Sequence, residues 1–220
     1  MPRVSFDDVR EAYSARAAEY VDAVGRIEHA TQQDRDDVLA WAHAVDGPVL
    51  DVGCGPGQWT DLLHREGVDV VGVDPVEVFV ERASSTYPAA RYRVGRAEDL
   101  GVADKSLGGI LAWFSLIHTE PRLIDVPLAE FSRCLRAGGS LALGFFVGPD
   151  REPFAHAVAT AYTWTVEGLG EVVERAGFTV VDARSREEPG GRPGGMLVAE
   201  RRRRATASRA PARRGSARSR

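Results

Sequence analysis

Several features are scarce or missing in this sequence of 220 residues. Its two cysteines, Cys54 and Cys134, are too few for a disulfide framework and do not have the spacing of a metal site. No run of about 18 apolar residues indicates a membrane-spanning helix. The N-terminal segment MPRVSFDDVREAY lacks the apolar stretch of a secretory leader. We therefore expect a cytoplasmic protein with reduced thiols, no membrane span and no metal site.

Acidic residues are missing from the last 20 positions, although the whole chain has a net charge of −4. Residues 201–220 contain nine arginines, so the remainder of the chain carries a net charge of −13. An acidic body is a poor match for nucleic acid, since phosphate contacts dominate that binding. The tail is an Arg/Ala/Ser segment without apolar periodicity, which predicts disorder. Its charge would allow non-specific binding of nucleic acid or acidic lipid.

Apolar strand patterns alternate with helical patterns along most of the chain, which predicts a parallel sheet with helices on both faces. The last two strands have no helix between them and must form a hairpin. The expected fold is therefore a Rossmann-like, doubly wound α/β sheet of seven strands, mostly parallel, with one antiparallel C-terminal strand. The predicted strands are PVLDVG, VDVVGVD, ARYRVG, GGILAWF, SLALGFFVG, FTVVDARS and GMLVAERR.

Local signals indicate where four of the helices lie. Ser5 and Asp8 have the spacing of a capping box at the start of a long N-terminal helix with an apolar and aromatic face. A second helix is predicted from Gln32 to Val45. Pro75 can open the helix after the second strand, and Pro127 lies inside a helical pattern at a kink or restart.

The stretch VLDVGCGPGQWTDLL joins the first strand to a helix through a glycine-rich turn. No lysine follows the glycines, which excludes a phosphate-binding P-loop. Gln58 occupies the position of the third glycine of a dinucleotide fingerprint, which disfavours NAD-type binding without removing it as an alternative. Asp51, two residues before the first glycine, is a poor neighbour for a pyrophosphate and suits a ligand with an amino group and a sulfonium.

The same stretch resembles motif I of class I S-adenosylmethionine-dependent methyltransferases. VVGVDP is similar to their second-strand motif, and YRVGRAEDLGVADKSLGGILAWFSLIH to their adenine-binding loop and fourth strand. FSRCLRAGGSLALGFF resembles their following helix, glycine turn and fifth strand. Four motifs in the expected order cover about residues 49–146. Near matches to GGILAWFSLIH occur in a bacterial subgroup of small-molecule methyltransferases.

The resemblance implies a set of residues around S-adenosylmethionine. The glycines of the turn would contact the methionine part, Asp74 would accept the ribose hydroxyls, and the loop after the third strand would flank the adenine. Tyr20 on the N-terminal helix would contact the cofactor carboxylate or the acceptor. The full set is Tyr20, Asp51, Gly53, Gly55, Gly57, Trp59, Asp74, Pro75, Ala97, Glu98, Asp99, Trp113 and Phe114.

Two positions depart from the family pattern, which often has aspartate where Arg96 and Gly108 stand here. Arg96 removes a carboxylate that would bind the adenine amino group, so Asp99 or the backbone near Ala97 and Glu98 would replace it. Gly108 lies before the fourth strand, where we expect a structural role.

His118 is the candidate catalytic residue because it follows the fourth strand, on the side that receives the acceptor. An ordinary histidine pKa of about 6.5 allows it to take a proton from a hydroxyl or amine. Trp113 and Phe114 could face the sulfonium or simply pack in the core. Tyr13 and Arg16 are further candidates on the N-terminal helix, and His156 could line the pocket.

We therefore expect transfer of the methyl group of S-adenosylmethionine to a small-molecule acceptor, with S-adenosylhomocysteine as the product. No NPPY-like sequence follows the fourth strand, which argues against methylation of exocyclic amines in nucleic acid. Tyr162 and Trp164 could line the acceptor pocket. Residues 1–46 would cap the site, residues 47–200 would form the core, and residues 201–220 the tail. The alternatives are an NAD-type oxidoreductase and a non-catalytic nucleic-acid-binding module.

Overall fold

The structure, a computed structural model, describes residues 6–187 and 191–203. The predicted helix cap at Ser5 and residues 204–220 of the predicted disordered tail lie outside these ranges. The predicted start of the tail at residue 201 is wrong, because Arg201 is the last residue of a strand.

A nine-stranded sheet forms the centre of the fold. Its strands are β1 (Val49–Val52), β2 (Val70–Asp74), β3 (Arg91–Val94), β4 (Leu107–Trp113), β5 (Leu135–Val147), β6 (Pro153–Ala155), β7 (Thr160–Trp164), β8 (Phe178–Arg186) and β9 (Gly194–Arg201). All seven predicted strands are present, in the spatial order β3-β2-β1-β4-β5-β9-β8. β9 is antiparallel to both β5 and β8, while the other neighbours in this order are parallel. The mostly parallel sheet with an antiparallel C-terminal strand is therefore confirmed.

The strands β6 and β7 were not predicted. They form an antiparallel hairpin, and β7 pairs in parallel with the end of β5, where Phe146 lies opposite Thr163. Their sequence, PFAHAVATAYTW, offers few polar residues to mark a turn, so the periodicity gave no hairpin signal. This hairpin adds two strands at the carboxyl end of β5 and supplies residues beside the candidate site.

Seven α-helices surround the sheet within the described residues. They are α1 (Phe6–Ala15), α2 (Ala17–Val24), α3 (Gln32–Ala44), α4 (Gln58–Arg65), α5 (Glu77–Thr86), α6 (Asp125–Cys134) and α7 (Val166–Arg175), and a 3-10 turn spans Ile27–His29.

The helix predictions hold in outline and differ at three points. The single N-terminal helix is interrupted at Arg16, which has non-helical backbone angles and separates α1 from α2. α5 begins at Glu77 rather than at Pro75. Pro127 lies in the first turn of α6, where its missing N–H has no helical partner to lose, so no kink is needed.

The core lies on both faces of the sheet. Alternate residues of β4 point to opposite sides, with Ile110 in the cluster that includes α6 and α7, and Leu111 in the cluster that includes α3 and α4. This double burial explains why the central strands read as continuous apolar runs. No helix in residues 6–187 and 191–203 is long and apolar enough to cross a bilayer.

The strand order reverses between β1 and β4, since β2 and β3 lie on one side of β1 while β4 and β5 lie on the other. In open α/β sheets, ligands bind in the crevice that this reversal opens at the carboxyl ends of the strands. The glycine turn after β1 and the segment after β4 both lie at this crevice.

Candidate active site

A cavity opens at the carboxyl ends of β1, β2 and β4, with an empty volume of about 1070 Å³ that includes space open to solvent. Ten of the sequence-predicted site residues line this cavity: Tyr20, Gly53, Gly55, Asp74, Pro75, Ala97, Glu98, Trp113, Phe114 and His118. The structure therefore brings together residues separated by up to 98 positions in the chain.

The glycine turn has left-handed backbone at all three predicted glycines, with φ of +74° at Gly53, +52° at Gly55 and +92° at Gly57. Their surroundings differ, however. A Cβ on Gly53 would lie 2.2 Å from Cβ of Ser115, and one on Gly57 would lie 2.7 Å from Cβ of Ala83. A Cβ on Gly55 would meet only Tyr20, at 3.8 Å, and so would extend into the cavity. Gly55 is thus the glycine that keeps space for a ligand, whereas the other two permit close packing.

Asp74 ends β2 and faces the cavity with 5% of its surface exposed. Its Oδ2 accepts a hydrogen bond from the N–H of Gly55 at 2.8 Å, and its Oδ1 accepts one from the N–H of Val76 at 2.8 Å. These bonds orient the carboxylate and tie the glycine turn to the end of β2. Each oxygen retains one lone pair, so the group can accept two further hydrogen bonds from a vicinal diol.

Four predicted cofactor residues do not line the cavity. Asp51 is 1% exposed beneath the turn, where its Oδ2 accepts a hydrogen bond from Oγ1 of Thr60 at 2.6 Å. Gly57 lies against Ala83 of α5 and Tyr92 of β3. Trp59 is buried in the core, with its ring centroid 5.4 Å from that of Trp113. Asp99 is exposed and accepts a hydrogen bond from the N–H of Gly101.

Burial raises the pKa of Asp51 to about 7, and the charge of Asp74 adds to this while the Thr60 hydroxyl opposes it. Burial also raises the pKa of Asp74 to about 6, against the two backbone hydrogen bonds that stabilise its charged form. Two buried carboxylates near one turn make this region favourable for a cationic ligand.

The loop after β3 closes one end of the cavity with Arg96, Ala97 and Glu98. Arg96 forms an ion pair with Asp7 of α1 at 3.2 Å and approaches Glu98 at 3.7 Å. The arginine therefore connects the N-terminal helix to the loop. Glu98 keeps a carboxylate at this end of the cavity, one that is 18% exposed.

His118 is 7% exposed and makes two hydrogen bonds. Its Nδ1 lies 2.8 Å from the carbonyl oxygen of Thr160 in β7, and its Nε2 lies 2.8 Å from the hydroxyl of Tyr13 in α1. A carbonyl oxygen only accepts, so Nδ1 carries the proton and, in the neutral ring, Nε2 accepts from the Tyr13 hydroxyl. Burial lowers the pKa of His118 to about 4, against the opposing effect of the Thr160 carbonyl. The ring is thus neutral at pH 7, with a basic nitrogen directed at Tyr13.

Aromatic residues surround this pair. Trp113 ends β4 and Phe114 follows it, and both line the cavity. Phe114 has a left-handed φ of +52°, which is uncommon for an aromatic residue. The rings of Tyr13 and Tyr20 are 5.2 Å apart, and both contact Phe79 of α5. The N-terminal helices therefore border the cavity through aromatic contacts.

The remaining candidates from the sequence lie elsewhere. Arg16 pairs with Glu19 and donates to the carbonyl of Ala157, outside the cavity lining. Trp164 is 3% exposed in the core. Neither Tyr162 nor His156 lines the cavity, so the expectation that they line the pocket is wrong for this cavity. No group of three or more potential metal ligands occurs among the described residues.

Sequence reasoning missed several cavity residues, including Arg10, Phe79, Ser115, Thr119 and Glu120. Ser115 stands out, because its Oγ is buried and has no hydrogen-bond partner within the described part of the chain. Its position directly after Phe114 could have drawn attention to it, since polar residues after strand ends face the crevice in this fold class.

Comparisons with known proteins agree with this geometry. A family model described as a methyltransferase domain matches residues 49–139. An uncharacterized methyltransferase of Synechocystis is 32% identical over 149 residues, which cover 60% of this chain and 67% of the relative. An uncharacterized methyltransferase of Mycobacterium bovis is 29% identical over 168 residues, and the matched region spans 76% of this chain and 63% of that relative.

Among solved structures, 1,6-didemethyltoxoflavin-N1-methyltransferase of Burkholderia thailandensis superposes with a TM-score of 0.75 at 22% identity. The match covers 92% of this chain and 93% of the other. That structure holds 1,6-didemethyltoxoflavin and S-adenosylhomocysteine. At this identity the likeness establishes the fold, while the sequence relatives establish the family. The chain belongs to the class I S-adenosylmethionine-dependent methyltransferases.

Proposed function

We propose that the protein transfers the methyl group of S-adenosylmethionine to a small-molecule acceptor by in-line displacement. The observation that carries the proposal is the position of Asp74, whose carboxylate is held by Gly55 and Val76 at the wall of the cavity with lone pairs left to bind a diol. An acidic residue at the end of the second strand binds the ribose in nucleoside sites of this fold.

The residues present fit the cofactor along the cavity. Asp74 would accept the ribose hydroxyls, Ala97 and Glu98 would flank the adenine, and Gly55 would leave room for the methionine part. The buried carboxylate of Asp51 lies beneath the turn, where it would stabilise the positive charge of the cofactor without contacting the cofactor. S-adenosylmethionine supplies an electrophilic methyl group on a sulfonium, and the residues around it have to align the acceptor and exclude water.

His118 is the proposed proton acceptor. Its Nε2 accepts a hydrogen bond from the Tyr13 hydroxyl, and both side chains line the same cavity. A hydroxyl or amine of the acceptor could therefore pass its proton to Nε2, either directly after displacing Tyr13 or through the Tyr13 hydroxyl. The low pKa of His118 makes it a weak base in the free protein, so proton transfer would accompany methyl transfer rather than precede it.

Two observations support a small-molecule acceptor. The cavity is lined on one side by Tyr13 of α1 and Tyr20 of α2, whose rings are 5.2 Å apart, so these helices would restrict the approach of a macromolecule. The Burkholderia protein with a similar fold holds 1,6-didemethyltoxoflavin beside S-adenosylhomocysteine.

Calorimetric titration with S-adenosylhomocysteine, NAD and duplex DNA tests the proposal directly. We expect saturable one-to-one binding of S-adenosylhomocysteine only, followed by methyl release from labelled cofactor in a screen of acceptors. Binding of NAD without S-adenosylhomocysteine would replace the proposal with the oxidoreductase alternative. Salt-sensitive DNA binding that is lost on removal of residues 204–220, with no cofactor binding, would favour the nucleic-acid module.

A further inference from the structure

A second concave surface lies at the amino ends of β4 and β5, at the edge of the sheet opposite the candidate active site. It runs between α3 and the strands β5, β9 and β8, and its empty volume of about 1100 Å³ includes space open to solvent. Trp41 of α3 lines one side, while Met196 and Val198 of β9 line the other. We call this surface the amino-end groove. Among the described residues, none lines both the groove and the candidate active site.

The groove contains an exposed apolar side chain. The pairing of β8 with β9 is irregular between Val180 and Asp182, and the residue between them, Val181, is 53% exposed and lines the groove. Val198 beside it is half-buried. Apolar surface inside a concave site is typical of a surface that another segment covers.

The charge of the groove is negative. Its charged lining residues are four carboxylates and two guanidinium groups, a net charge of −2: Asp37, Asp46, Asp182, Glu200, Arg136 and Arg184. Arg184 pairs with Asp37 at 3.0 Å and with Asp182 at 2.8 Å, and Arg136 pairs with Asp46 at 2.8 Å. Glu200 is exposed and makes no ion pair within residues 6–187 and 191–203. Its carboxylate is therefore available to a further cation.

The described chain ends at the rim of this groove. Glu200 of β9 lines it, and the guanidinium of Arg203 lies 3.5 Å from the position of a Cβ on Gly138, which also lines it. The N–H of Arg202 donates to the carbonyl of Gly177 at 3.0 Å and fixes the direction in which the chain leaves β9. Whatever follows residue 203 therefore starts beside the groove.

The segment that follows matches the groove in charge and length. Residues 204–220, outside the described ranges, contain six arginines and no acidic residue. Fully extended, 17 residues span up to about 56 Å. The groove follows β9 from Glu200 to Met196, a distance of about 13 Å at the rise of a strand. The segment is therefore long enough to lie along the whole groove.

We propose that residues 204–220 bind in the amino-end groove of their own chain, with arginines paired to Glu200, Asp182 and Asp46 and small side chains over Val181. Exposed ion pairs are weak one by one, but a segment tethered at the rim has an effective concentration in about the millimolar range. The tail then serves as an intramolecular ligand on the side of the sheet away from the cavity. This inference does not depend on the proposed methyl transfer.

The test uses the full chain with a nitroxide label on Ala217→Cys. Cys54 and Cys134 are buried, so the label attaches at position 217. Paramagnetic broadening of backbone amide signals is measured by NMR, with the reduced label as reference. We expect broadening at Val181 and Val198 and none at Gly55. Because salt screens exposed ion pairs, that broadening should fall at least about fivefold between about 50 mM and about 0.5 M NaCl.

Substitutions locate the contact. Glu200→Gln with Asp182→Asn removes two carboxylates of the groove and should lower the broadening at Val181 at least about threefold at low salt. The matched control is Glu171→Gln with Glu174→Gln, which removes two exposed carboxylates from α7 on the other face of the sheet and should change nothing. Thermal unfolding checks that both double variants remain folded.

The other occupants of the groove give different results. Equal broadening in a mixture of isotope-labelled chains without nitroxide and unlabelled chains with it would mean that the tail binds a second copy, which overturns the proposal. Broadening centred on Gly55 would assign the tail to the candidate active site. No broadening at low salt, or broadening that survives about 0.5 M NaCl and the groove substitutions, also overturns it.

Discussion

Replacement of Asp74 is the sharpest test of how the cavity would hold a nucleoside. Asp74→Asn preserves the volume of the side chain but removes its charge and one of its two acceptor oxygens. The amide nitrogen must then face the N–H of either Gly55 or Val76, each of which now donates to the carboxylate at 2.8 Å. Asp74→Ala removes both acceptors.

The expected magnitude follows from the hydrogen bonds lost. A hydrogen bond to a charged group contributes about 1.5–3 kcal/mol, and each 1.4 kcal/mol corresponds to about tenfold in affinity. Asp74→Asn should therefore weaken S-adenosylhomocysteine at least about tenfold, and Asp74→Ala about a hundredfold or more, provided that both ribose hydroxyls bind the carboxylate.

Isothermal titration calorimetry at pH 7.5 measures the effect, and thermal unfolding of each variant checks that the turn after β1 remains folded. Asp99→Ala is the control, because Asp99 is an exposed carboxylate outside the cavity lining. Affinity of Asp74→Ala within twofold of the unmodified chain, with unfolding behaviour preserved, would remove Asp74 from the ligand site.

Three further predictions follow from the site. His118→Ala should lower kcat and alter its pH profile while leaving S-adenosylhomocysteine affinity within twofold; full activity at all pH values would exclude His118 as the base. Gly55→Ala and Gly67→Ala both place a side chain at positive φ, but only Gly55 lines the cavity, and a Cβ on Gly67 meets nothing within 4 Å. Calorimetry should therefore show weaker cofactor binding for Gly55→Ala only. For Asp51, whose folded pKa of about 7 exceeds its unfolded value of 3.8, ionisation destabilises the fold as pH rises from about 4 to 7. Asp51→Asn keeps an oxygen for the Thr60 hydroxyl and has no carboxyl group to ionise. It should therefore raise the free energy of unfolding progressively over that range, by at most about 4 kcal/mol. A gain in stability that does not vary with pH in denaturant titrations would contradict the raised pKa.

The fold was largely predictable because its signals are local. Apolar runs of strand length alternate with helical patterns, and a parallel sheet covered on both faces follows from that order. The hairpin β6–β7 escaped prediction since its strands are short and their pairing with Phe146 and Val147 of β5 depends on tertiary contact. The break at Arg16 likewise has no glycine or proline to mark it.

The candidate site was predictable only in part. Residues at the ends of strands or in the segments that follow them, such as Asp74, Gly55 and His118, reach the cavity because the carboxyl ends of parallel strands meet at one edge of the sheet. Asp51 and Trp59 belong to the same motif, yet they face the interior. Sequence spacing identifies a turn but does not reveal which of its side chains point toward the ligand.

The sequence by itself determined the doubly wound sheet, the glycine turn and the acidic end of β2, because periodicity and backbone freedom are properties of short segments. Only the tertiary structure decided which groups surround His118. Tyr13 is 105 positions away in the chain, Thr160 is 42 positions away, and His156 comes from an unpredicted hairpin. Their meeting depends on how α1 and the hairpin pack against the sheet, and that packing sets the tautomer, the charge and the aromatic surroundings of the proposed base.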